Sequence, residues 1–544
     1  MKIASDSIHK LIPLTPLIVT LFVTPITSYD PINISRLSSL LLLSFLSIFA
    51  LIKWNILKTE KKYKIILLVG ALFIIWSLVS SIQSNITLNE VFYGVTGRQT
   101  GTLAYFSLVI LMLTNVISSG SKLNFSLLVS LIVAGYINGI YGLFQSLNAD
   151  PFDWINPYSP VFGLFGNPNF HASFMGITAT AAFSLLLKQQ NQIKFRLIYS
   201  CFIPLALLNI YQSKSQQGFL VTLAGVSVVL FLWLRDSKYK RLTFTYIVAW
   251  LVGATTAILD ILQKTPWKSI LYKESVSYRG DFWRAGWQMT LDNPIFGVGL
   301  DGYRDNFRFY RDQVAIDHNP NAVVDSAHNV FIDLSSAGGF PLLIIYIVIL
   351  FLALTSAIKV IKRSNTFDPI FAGIFGCWVA YLAQSLVSIN QIALAVWGWA
   401  LTGAIIGYEA FRREEKHQPD AKHKDVGWLR ITSGVVIGVA ITLPLFISDS
   451  QFRSTVKSGD VIQIQQSVEK WPQSVIRMTL AAKILREGGF ADQAFEISIK
   501  STNLFPNNFE AWQELYANPK ASEKVKLEAL QAMKKLDPLN PNLG

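Results

Sequence analysis

The sequence contains little charge and almost no cysteine. Of its 544 residues, only 15% are Asp, Glu, Lys or Arg, 51% are hydrophobic, and two are cysteines. Soluble domains carry roughly 25% charged residues, so this composition excludes a chain built only of ordinary soluble domains. Cys201 and Cys377 both lie in apolar runs, and they indicate neither a disulfide framework nor a thiolate metal site. The low charge instead predicts a polytopic membrane protein.

Long apolar runs recur along the chain up to residue 447. A helix needs about 20 apolar residues to cross a hydrocarbon core about 30 Å thick. Such runs lie at about residues 11–27, 37–52, 65–83, 102–118, 123–146, 170–187, 197–211, 217–234, 242–262, 339–358, 369–389, 391–411 and 431–447. We interpret the first run as a retained span, because no small-residue cleavage site follows it and another span comes soon after. The sequence therefore predicts an all-α fold with about 13 transmembrane helices.

Lys and Arg are distributed unevenly between the loops that join these runs. If the N-terminus lies inside and the loops alternate, the inside loops contain 24 basic residues and the short outside loops only Arg36, Arg98 and Lys214. Cytoplasmic loops are enriched in Lys and Arg, so we predict a plasma (inner) membrane protein with a cytoplasmic N-terminus. Topology then explains the formal net charge of +13, and no nucleic-acid partner is needed to account for it.

Two parts of the chain are predicted to lie outside the membrane on the extracytoplasmic side. Residues 263–338, the large loop, contain nearly balanced numbers of basic and acidic residues. Residues 448–544, the tail, are more polar than the rest of the chain. The predicted domains are therefore a membrane domain over 1–447, which includes the large loop, and a helical domain over 448–544.

A repeated motif divides the tail. The tetrapeptide WPQS at 471–474 recurs as FPNN at 505–508 and as DPLN at 537–540, with the prolines 34 and 32 residues apart. Amphipathic helices are predicted between these motifs, for example over 478–487 and 491–503. A period of about 34 residues with Pro after the second helix resembles tetratricopeptide repeats. A generic stack of helical hairpins is the alternative, because two units are near the minimum for a stable solenoid.

Ionisable residues are almost absent from the predicted spans. Asp260 and Glu409 lie at span ends. Proton- or sodium-coupled transporters are expected to hold carboxylates near the membrane midplane, so the sequence argues against that class. The polar residues collect in the outer segments, and we expect any chemistry to take place there.

The densest group of reactive side chains lies in the large loop. SYRGDFWRAGW at 277–287, which contains Arg279 and Arg284, is followed by NPIFGVGLDGY at 293–303 and by DSAHNVFIDL at 325–334, which contains His328. Arginine presents a fixed, always charged fork that suits phosphate oxygens. Histidine has an unperturbed pKa near neutrality and suits the removal of a proton from a hydroxyl. Taken singly, a loop arginine is more often a solvated or ion-paired surface group and a lone histidine is more often non-catalytic, so the functional interpretation depends on their occurring together.

The order of these motifs resembles the large periplasmic loop of the O-antigen ligase and polymerase superfamily. Arg279 with Trp283, then Asn-Pro-x-x-Gly-x-Gly, then His328 with Asn329 follow one another as in that family. Two upstream segments, GRQTG at 97–101 and FGNPNFHA at 165–172, are similar to its short outer-face motifs, so the resemblance covers roughly residues 90–410. It implies an integral-membrane glycosyltransferase that takes a glycan from an undecaprenyl-pyrophosphate carrier.

The resemblance also implies roles for individual residues. Arg279 is expected to bind the pyrophosphate, and His328 is expected to act as general base on the acceptor hydroxyl. The reaction is expected to invert the anomeric carbon and to need no metal or other cofactor. Further expected substrate-binding residues are Lys214, Arg98, Arg284, Asn329 and Asn169. Where the family has Ser-Arg-Gly, this chain reads SKSQQG at 213–218, so Gln216 replaces the arginine and Lys214 supplies a charge without the fork.

Structural roles compete with some of these functional ones. Asn329 and Asp333 are suited to cap and begin the tenth span, and either side chain could instead orient the ring of His328. Asn169 can help to shape the turn into a span rather than bind glycan. His171, one helical turn into that span, favours a buried polar contact over a second catalytic base.

Several functions fit these features. We predict an O-antigen ligase-like transfer of glycan to an acceptor hydroxyl outside the membrane, and a polysaccharide polymerase of the same superfamily is the nearest alternative. Repeats of the tail type often bind peptides, which favours an acceptor carried by a macromolecule and a protein partner. A non-enzymatic flippase or transporter of lipid-linked glycan is a second alternative, and a membrane scaffold is a third. The expected partners are a lipid-linked donor, the membrane, and a glycan, lipid or protein acceptor.

Overall fold

The computed structural model describes residues 2–3, 11–51, 61–84, 86–154, 161–188, 192–261, 264, 274–414 and 426–543. These residues are mostly α-helical, and one short antiparallel ladder joins β1 (Lys2–Ile3) to β2 (Val426–Gly427). The helices before the large loop are α1 (Thr15–Leu21), α2 (Asn33–Leu51), α3 (Lys61–Gln83), α4 (Leu88–Tyr93), α5 (Thr102–Ser118), α6 (Ser121–Ser146), α7 (Pro168–Leu186), α8 (Ile193–Gln212), α9 (Gln216–Asp236) and α10 (Leu242–Ile261). The later helices are α11 (Glu274–Asp292), α12 (Tyr303–Tyr310), α13 (Gln313–His318), α14 (Val330–Arg363), α15 (Pro369–Ser385), α16 (Ile392–Glu414), α17 (Trp428–Ser458), α18 (Val461–Glu469), α19 (Val475–Glu487), α20 (Ala491–Leu504), α21 (Phe509–Ala517) and α22 (Glu523–Leu536).

Seven of the described helices are long and apolar enough to cross a membrane, judged by length and composition: α3, α6, α8, α9, α14, α16 and α17. Five shorter apolar helices lie at α1, α2, α5, α10 and α15. Together with α7, a helix occupies each apolar run identified in the sequence. The prediction of an all-α polytopic membrane protein is confirmed, whereas the number of about 13 spans stays a prediction.

Helix α16 forms the centre of the bundle. Its apolar part, Ile392–Ala410, is buried along its whole length, as expected of a helix that is apolar on all sides. Gly403 and Gly407 face α5, where an added Cβ would overlap the carbonyl oxygens of Met112 and Val116. Because small residues allow membrane helices to approach closely, these two glycines set the distance between α5 and α16.

Loops that are predicted to share a side of the membrane meet in the structure. At one end of the bundle, Asn329 donates a hydrogen bond to the Leu386 carbonyl (3.0 Å). At the other end, Arg363 pairs with Glu409 (2.7 Å), and β1 pairs with β2, which joins two segments predicted to be cytoplasmic. The packing is consistent with the alternating topology, and which end faces the cytoplasm stays a prediction.

The large loop is mostly helical. It contains α11, α12 and α13, and α14 begins within it at Val330. The predicted span 339–358 starts at a break in α14, where Gly339 has a φ of +65°. Gly297 packs against this break with a φ of +65°, and a Cβ at this position would overlap the Ser336 carbonyl oxygen. The Asn-Pro-x-x-Gly-x-Gly motif therefore holds the large loop against a membrane helix.

The tail has an apolar core of its own. Helix α17 continues past the predicted boundary at residue 447 to Ser458, and its Phe452 packs into the tail core. Helices α18 to α22 follow, and the motif prolines lie in the links after α18, α20 and α22. The predicted helices over 478–487 and 491–503 lie within α19 and α20. The tail is thus built of helical hairpins, and its likeness to tetratricopeptide repeats stays a prediction.

Candidate active site

A cavity of about 570 Å³, here called the Arg279 cavity, lies between the membrane helices and the large loop. Three residues singled out in the sequence line it: Asn169 from α7, Arg279 from α11, and His328 from the turn before α14. Phe307 and residues between 319 and 324 also line it. The fold thus brings into one space polar groups that are far apart in the sequence.

Arg279 places a positive charge in this cavity. It lies near the start of α11, is half-buried, and forms no hydrogen bond or ion pair with any residue that the structure describes. Burial lowers the pKa of its guanidinium, but arginine remains protonated in proteins at neutral pH. A partly buried charge without a partner is unfavourable, so the cavity is suited to take up an anion.

His328 faces the same cavity from a strained turn. Its φ is +52°, a conformation that is costly for non-glycine residues and is often found at functional sites. Its ring packs on Phe282 with the centroids 5.5 Å apart, and its ring nitrogens make no hydrogen bond within the described part of the chain.

Burial lowers the pKa of His328 to about 4. The Asp325 carboxylate acts to raise this pKa, whereas Arg279 and Arg98 lower it further. The imidazole is therefore neutral at neutral pH and can accept a proton.

The turn that carries His328 is fixed by the start of α14. Asn329 caps this helix, and its side-chain oxygen accepts a hydrogen bond from Phe331 N (3.0 Å). Asp333 accepts a hydrogen bond from Ala327 N (2.7 Å). These contacts correspond to the capping alternative. Among the described residues, neither side chain is hydrogen-bonded to the His328 ring, so no hydrogen bond supports the alternative in which they orient that ring.

The GRQTG segment braces the same turn from another side. Asp301 accepts hydrogen bonds from Thr100 N (2.9 Å) and from the Thr100 hydroxyl. Arg98 Nε lies 3.5 Å from Asp301, and Arg98 Nη1 donates to the Asp325 carbonyl (2.8 Å). Arg98, which the resemblance assigns to substrate binding, is thus paired within the protein and does not line the Arg279 cavity. Its contacts hold the segment that leads to His328.

Lys214 lines a second cavity of about 550 Å³, here called the Lys214 cavity, whose wall is largely apolar. Gln216, at the position where the family has arginine, begins α9 and lines the same space. The two cavities meet where the Ser215 hydroxyl donates a hydrogen bond to Asn169 Oδ1 (2.7 Å). The structure therefore places Lys214 beside the space that contains Arg279 and not within it.

The sequence does not predict a group of charged pairs at the rim of the Arg279 cavity. Arg284 pairs with Asp312 (2.6 Å) and Asp281 (2.8 Å), and Asp281 also binds His318 (2.7 Å). Arg284 thus has partners and does not line the cavity, whereas Asp281 does. The spacing of Asp281 and Arg284 on one helix is a usable signal. Nothing near His318 in the sequence points to Asp281, because only tertiary packing brings α13 onto α11.

His171 does not line the Arg279 cavity. His171 is fully buried, and its Nε2 lies 3.1 Å from Asn209 Oδ1, which is the buried polar contact that the sequence favours. Among the described residues, no group of three or more His, Cys, Asp or Glu side chains is arranged to hold a metal ion. The polar side chains that line the Arg279 cavity include Arg279, His328, Asn169 and Asp281.

Residues 201–347 match the family model described as O-antigen ligase. The matched segment runs from α8 into α14 and includes Lys214, Arg279 and His328, whereas Asn169 lies before it. A comparison with curated proteins finds no match for the chain. The family match supports a membrane glycan ligase or polymerase function in general. The donor, its carrier, the acceptor and the mechanism are not specified by it.

Proposed function

We propose that the protein is an O-antigen ligase-like glycosyltransferase that moves a glycan from an undecaprenyl-pyrophosphate carrier to an acceptor hydroxyl on the outer face of the plasma membrane. The observation that carries this proposal is the single cavity shared by Arg279 and His328. It combines a cation that has no partner among the described residues, suited to a leaving pyrophosphate, with a neutral imidazole, suited to an acceptor hydroxyl. Both residues lie in the segment that matches the O-antigen ligase family.

In this proposal, Arg279 acts on the leaving group. As the bond between the anomeric carbon and the pyrophosphate breaks, negative charge grows on the pyrophosphate oxygens. A guanidinium contact that strengthens with this charge stabilises the transition state more than the ground state and so lowers the barrier. Because Arg279 has no partner among the described residues, no ion pair with them has to break before the donor binds.

His328 acts on the acceptor. The acceptor oxygen forms its bond to the anomeric carbon while the imidazole takes the hydroxyl proton, and the carrier pyrophosphate leaves with the electrons of the broken bond. A direct displacement of this kind inverts the anomeric configuration. Bound pyrophosphate offsets the positive charge of Arg279, which lowers the pKa of free His328. The donor therefore makes the base stronger when it binds. The cation in this mechanism is supplied by the protein, and no metal ion takes part.

The Lys214 cavity is suited to hold the rest of the donor. Its largely apolar wall fits a polyprenyl chain, and Lys214 adds a point charge for phosphate oxygens. The hydrogen bond between Ser215 and Asn169 forms the boundary with the Arg279 cavity. A lipid that arrives from the membrane would therefore reach Arg279 past this pair.

A polysaccharide polymerase of the same superfamily is the alternative. It would use Arg279 and His328 in the same way, but its acceptor would be a second carrier-linked glycan. A ligase instead needs an acceptor that arrives from outside the membrane. The tail packs on the large loop next to the Arg279 cavity, and this extra surface on the outer side favours the ligase.

The experiment that tests the proposal compares Arg279→Ala and His328→Ala with the wild type in a deletion background. Both variants should reach the membrane at normal abundance, lose surface-attached glycan and accumulate carrier-linked glycan outside. Arg241→Ala serves as a control, because it removes an exposed arginine from a predicted cytoplasmic loop, and it should behave as the wild type.

Normal surface glycan in both variants would contradict the proposal. The length of the accumulated chains separates the two enzymes, provided that transfer is lost. A blocked ligase leaves full-length polysaccharide on the carrier, whereas a blocked polymerase leaves single repeat units.

A further inference from the structure

Asp537 in the tail forms a buried ion pair with the large loop. Its carboxylate accepts hydrogen bonds from Arg311 Nη2 (2.8 and 2.7 Å) and from Arg308 Nη1 (3.2 Å). The side chains of Asp537 and Arg311 are fully buried, and Arg308 also lies over the ring of Phe509 at 4.2 Å. A carboxylate that is buried between two arginines fixes the tail to the large loop, because either charge alone would be unfavourable there.

The same ion pair reaches the wall of the Arg279 cavity. Arg311 Nη1 donates a hydrogen bond to the Pro320 carbonyl (2.7 Å). Further along the tail, Asn542 Nδ2 donates to Asn321 Oδ1 (3.4 Å). Because Asn321 and its neighbours line the cavity, the tail contacts this wall directly at Asn542 and indirectly through Arg311.

A second path leads from the ion pair to His328. Phe307, on α12, lines the cavity and packs on Phe282 with the ring centroids 5.9 Å apart. Phe282 in turn packs on the His328 ring, and its carbonyl accepts a hydrogen bond from the Tyr303 hydroxyl (2.6 Å). Asp537 holds α12, so it also supports the aromatic side chains on which His328 rests.

We infer that the tail is a working part of the Arg279 cavity and that Asp537 is a positioning residue for its acceptor side, the wall over residues 319–324. The inference rests on the proposed function. The lipid-linked donor comes from the membrane and meets Arg279 and Asn169, which belong to α11 and α7. The acceptor comes from outside, where the wall held by the tail lies.

A positioning role makes a different prediction from a general role in folding. Among the described residues, no hydrogen bond or ion pair joins Arg279 or Asn169 to the tail, so loss of the Asp537 pair should leave carrier binding intact. The wall and the support of His328 would shift, and a misplacement of about 1 Å costs on the order of 10²-fold in rate. Lost transfer with retained carrier binding is therefore the expected signature.

The experiment uses the full-length protein in nanodiscs, with undecaprenyl pyrophosphate as the probe. Asp537→Asn should bind the probe within about twofold of the wild type, because distant sites without shared partners are nearly independent. Backbone hydrogen exchange over residues 311–324 should become faster. In cells, surface glycan should fall by about ten- to a hundredfold. Asp492→Asn, which removes an exposed ion pair with Lys520 within the tail, is the control and should change none of the three.

Three results would overturn the inference. One is unchanged exchange over 311–324, another is faster exchange with normal transfer, and the third is loss of carrier binding together with transfer. Arg308→Ala leaves Asp537 paired with Arg311, and should give the same changes in weaker form even if Asp537→Asn does not fold. Arg279→Ala separates the two proposals: if it binds the probe as the wild type does, the proposed function fails, while the exchange result still reports on the wall.

Discussion

Two cavities beside the large loop contain charges of opposite sign that lack a full set of partners among the described residues. The Arg279 cavity, of about 570 Å³, holds a cation. The other, here called the Glu90 cavity, has a volume of about 250 Å³, lies between α4, the large loop and the tail, and holds the carboxyl groups of Glu90 and Asp305. Glu90 is 6% exposed, and its Oε1 has no hydrogen-bond partner in the described part of the chain. In both cavities, ionisable groups are thus removed from water without gaining a full set of hydrogen-bond or ion-pair partners among the described residues.

The two cavities differ in how the unfavourable free energy of each buried charge can be offset. Burial, followed by the charge of Asp305, raises the pKa of Glu90 to about 7, and burial raises the pKa of Asp305 to about 6. These carboxyl groups can therefore take up protons. Burial also lowers the pKa of Arg279, but a guanidinium keeps its proton at neutral pH. A bound anion would offset the charge of Arg279, whereas the charges of Glu90 and Asp305 can be removed by protonation.

Arg279→Ala removes the positive charge that we propose binds the pyrophosphate of the donor. Transfer should fall by about 10²–10³-fold, as when an electrostatic contact to a transition state is lost. The Tm should stay the same or rise, because a half-buried charge without a partner among the described residues disappears. The transfer rate of Arg279→Lys should lie between those of the wild type and Arg279→Ala, since lysine keeps the charge but lacks the planar fork of arginine. Transfer assays and thermal unfolding check this, and a large drop in Tm would mean that the cation has a protein partner.

Glu90→Gln removes an ionisable group from the other cavity. The pKa of Glu90 rises from 4.5 to about 7 on folding, so the folded state binds more protons between these values and loses stability as the pH rises through them. Between about pH 5 and about pH 8 the wild type should lose about 2 kcal/mol relative to the variant. Chemical unfolding at both pH values measures this, and transfer should change little. Parallel pH dependences of the two proteins would contradict the prediction.

The acid limit of transfer should move when the carrier binds. His328 must be unprotonated to act as base, so activity is lost as the pH falls through its pKa. That pKa is lowered to about 4 in the free protein by burial, with Arg279 and Arg98 contributing and Asp325 opposing. Bound pyrophosphate offsets the charge of Arg279. The profile of kcat, which reports the complex, should therefore fall at a higher pH than that of kcat/KM, which reports the free protein, by about one unit.

Coincident acid limits in the two profiles would place the carrier far from His328. A matched measurement on His328→Ala, at whatever residual rate remains, should show neither limit. The two profiles therefore test whether the bound carrier raises the pKa of His328, as expected if its pyrophosphate offsets the charge of Arg279.

Much of the fold can be predicted because the membrane leaves few options. A long uncharged run can satisfy its backbone in lipid only as a helix, so the runs identify the helices. The start of α14 is harder, since Val330–Ala337 continues the helix ahead of the predicted span at 339–358. Its position depends on the Asn329 cap and on the close approach of Gly297, and only the assembled fold reveals that approach.

The candidate site is less predictable than the fold. The order of the motifs predicts Arg279 and His328 as site residues, but the sequence does not indicate which arginines form ion pairs with carboxylates. Arg98 meets Asp301 only because α4 and the large loop pack together. Lys214 is expected to act with Arg279, yet it lines a neighbouring cavity and not the one that contains Arg279. Pairing of charges is a tertiary property, and local spacing predicts it only within a helix.

Arg284→Ala is the smallest and most closely matched test of the comparison. Arg284 lies on the same helix as Arg279, but it pairs with Asp312 (2.6 Å) and Asp281 (2.8 Å). Its side chain is 49% exposed, so its ion pairs should contribute about 0–1 kcal/mol and transfer should stay within about threefold of the wild type. A loss as large as that of Arg279→Ala would place Arg284 in the pyrophosphate site. Near-normal transfer would mean that the two arginines differ in function because the protein supplies a carboxylate to one and leaves the other for the ligand.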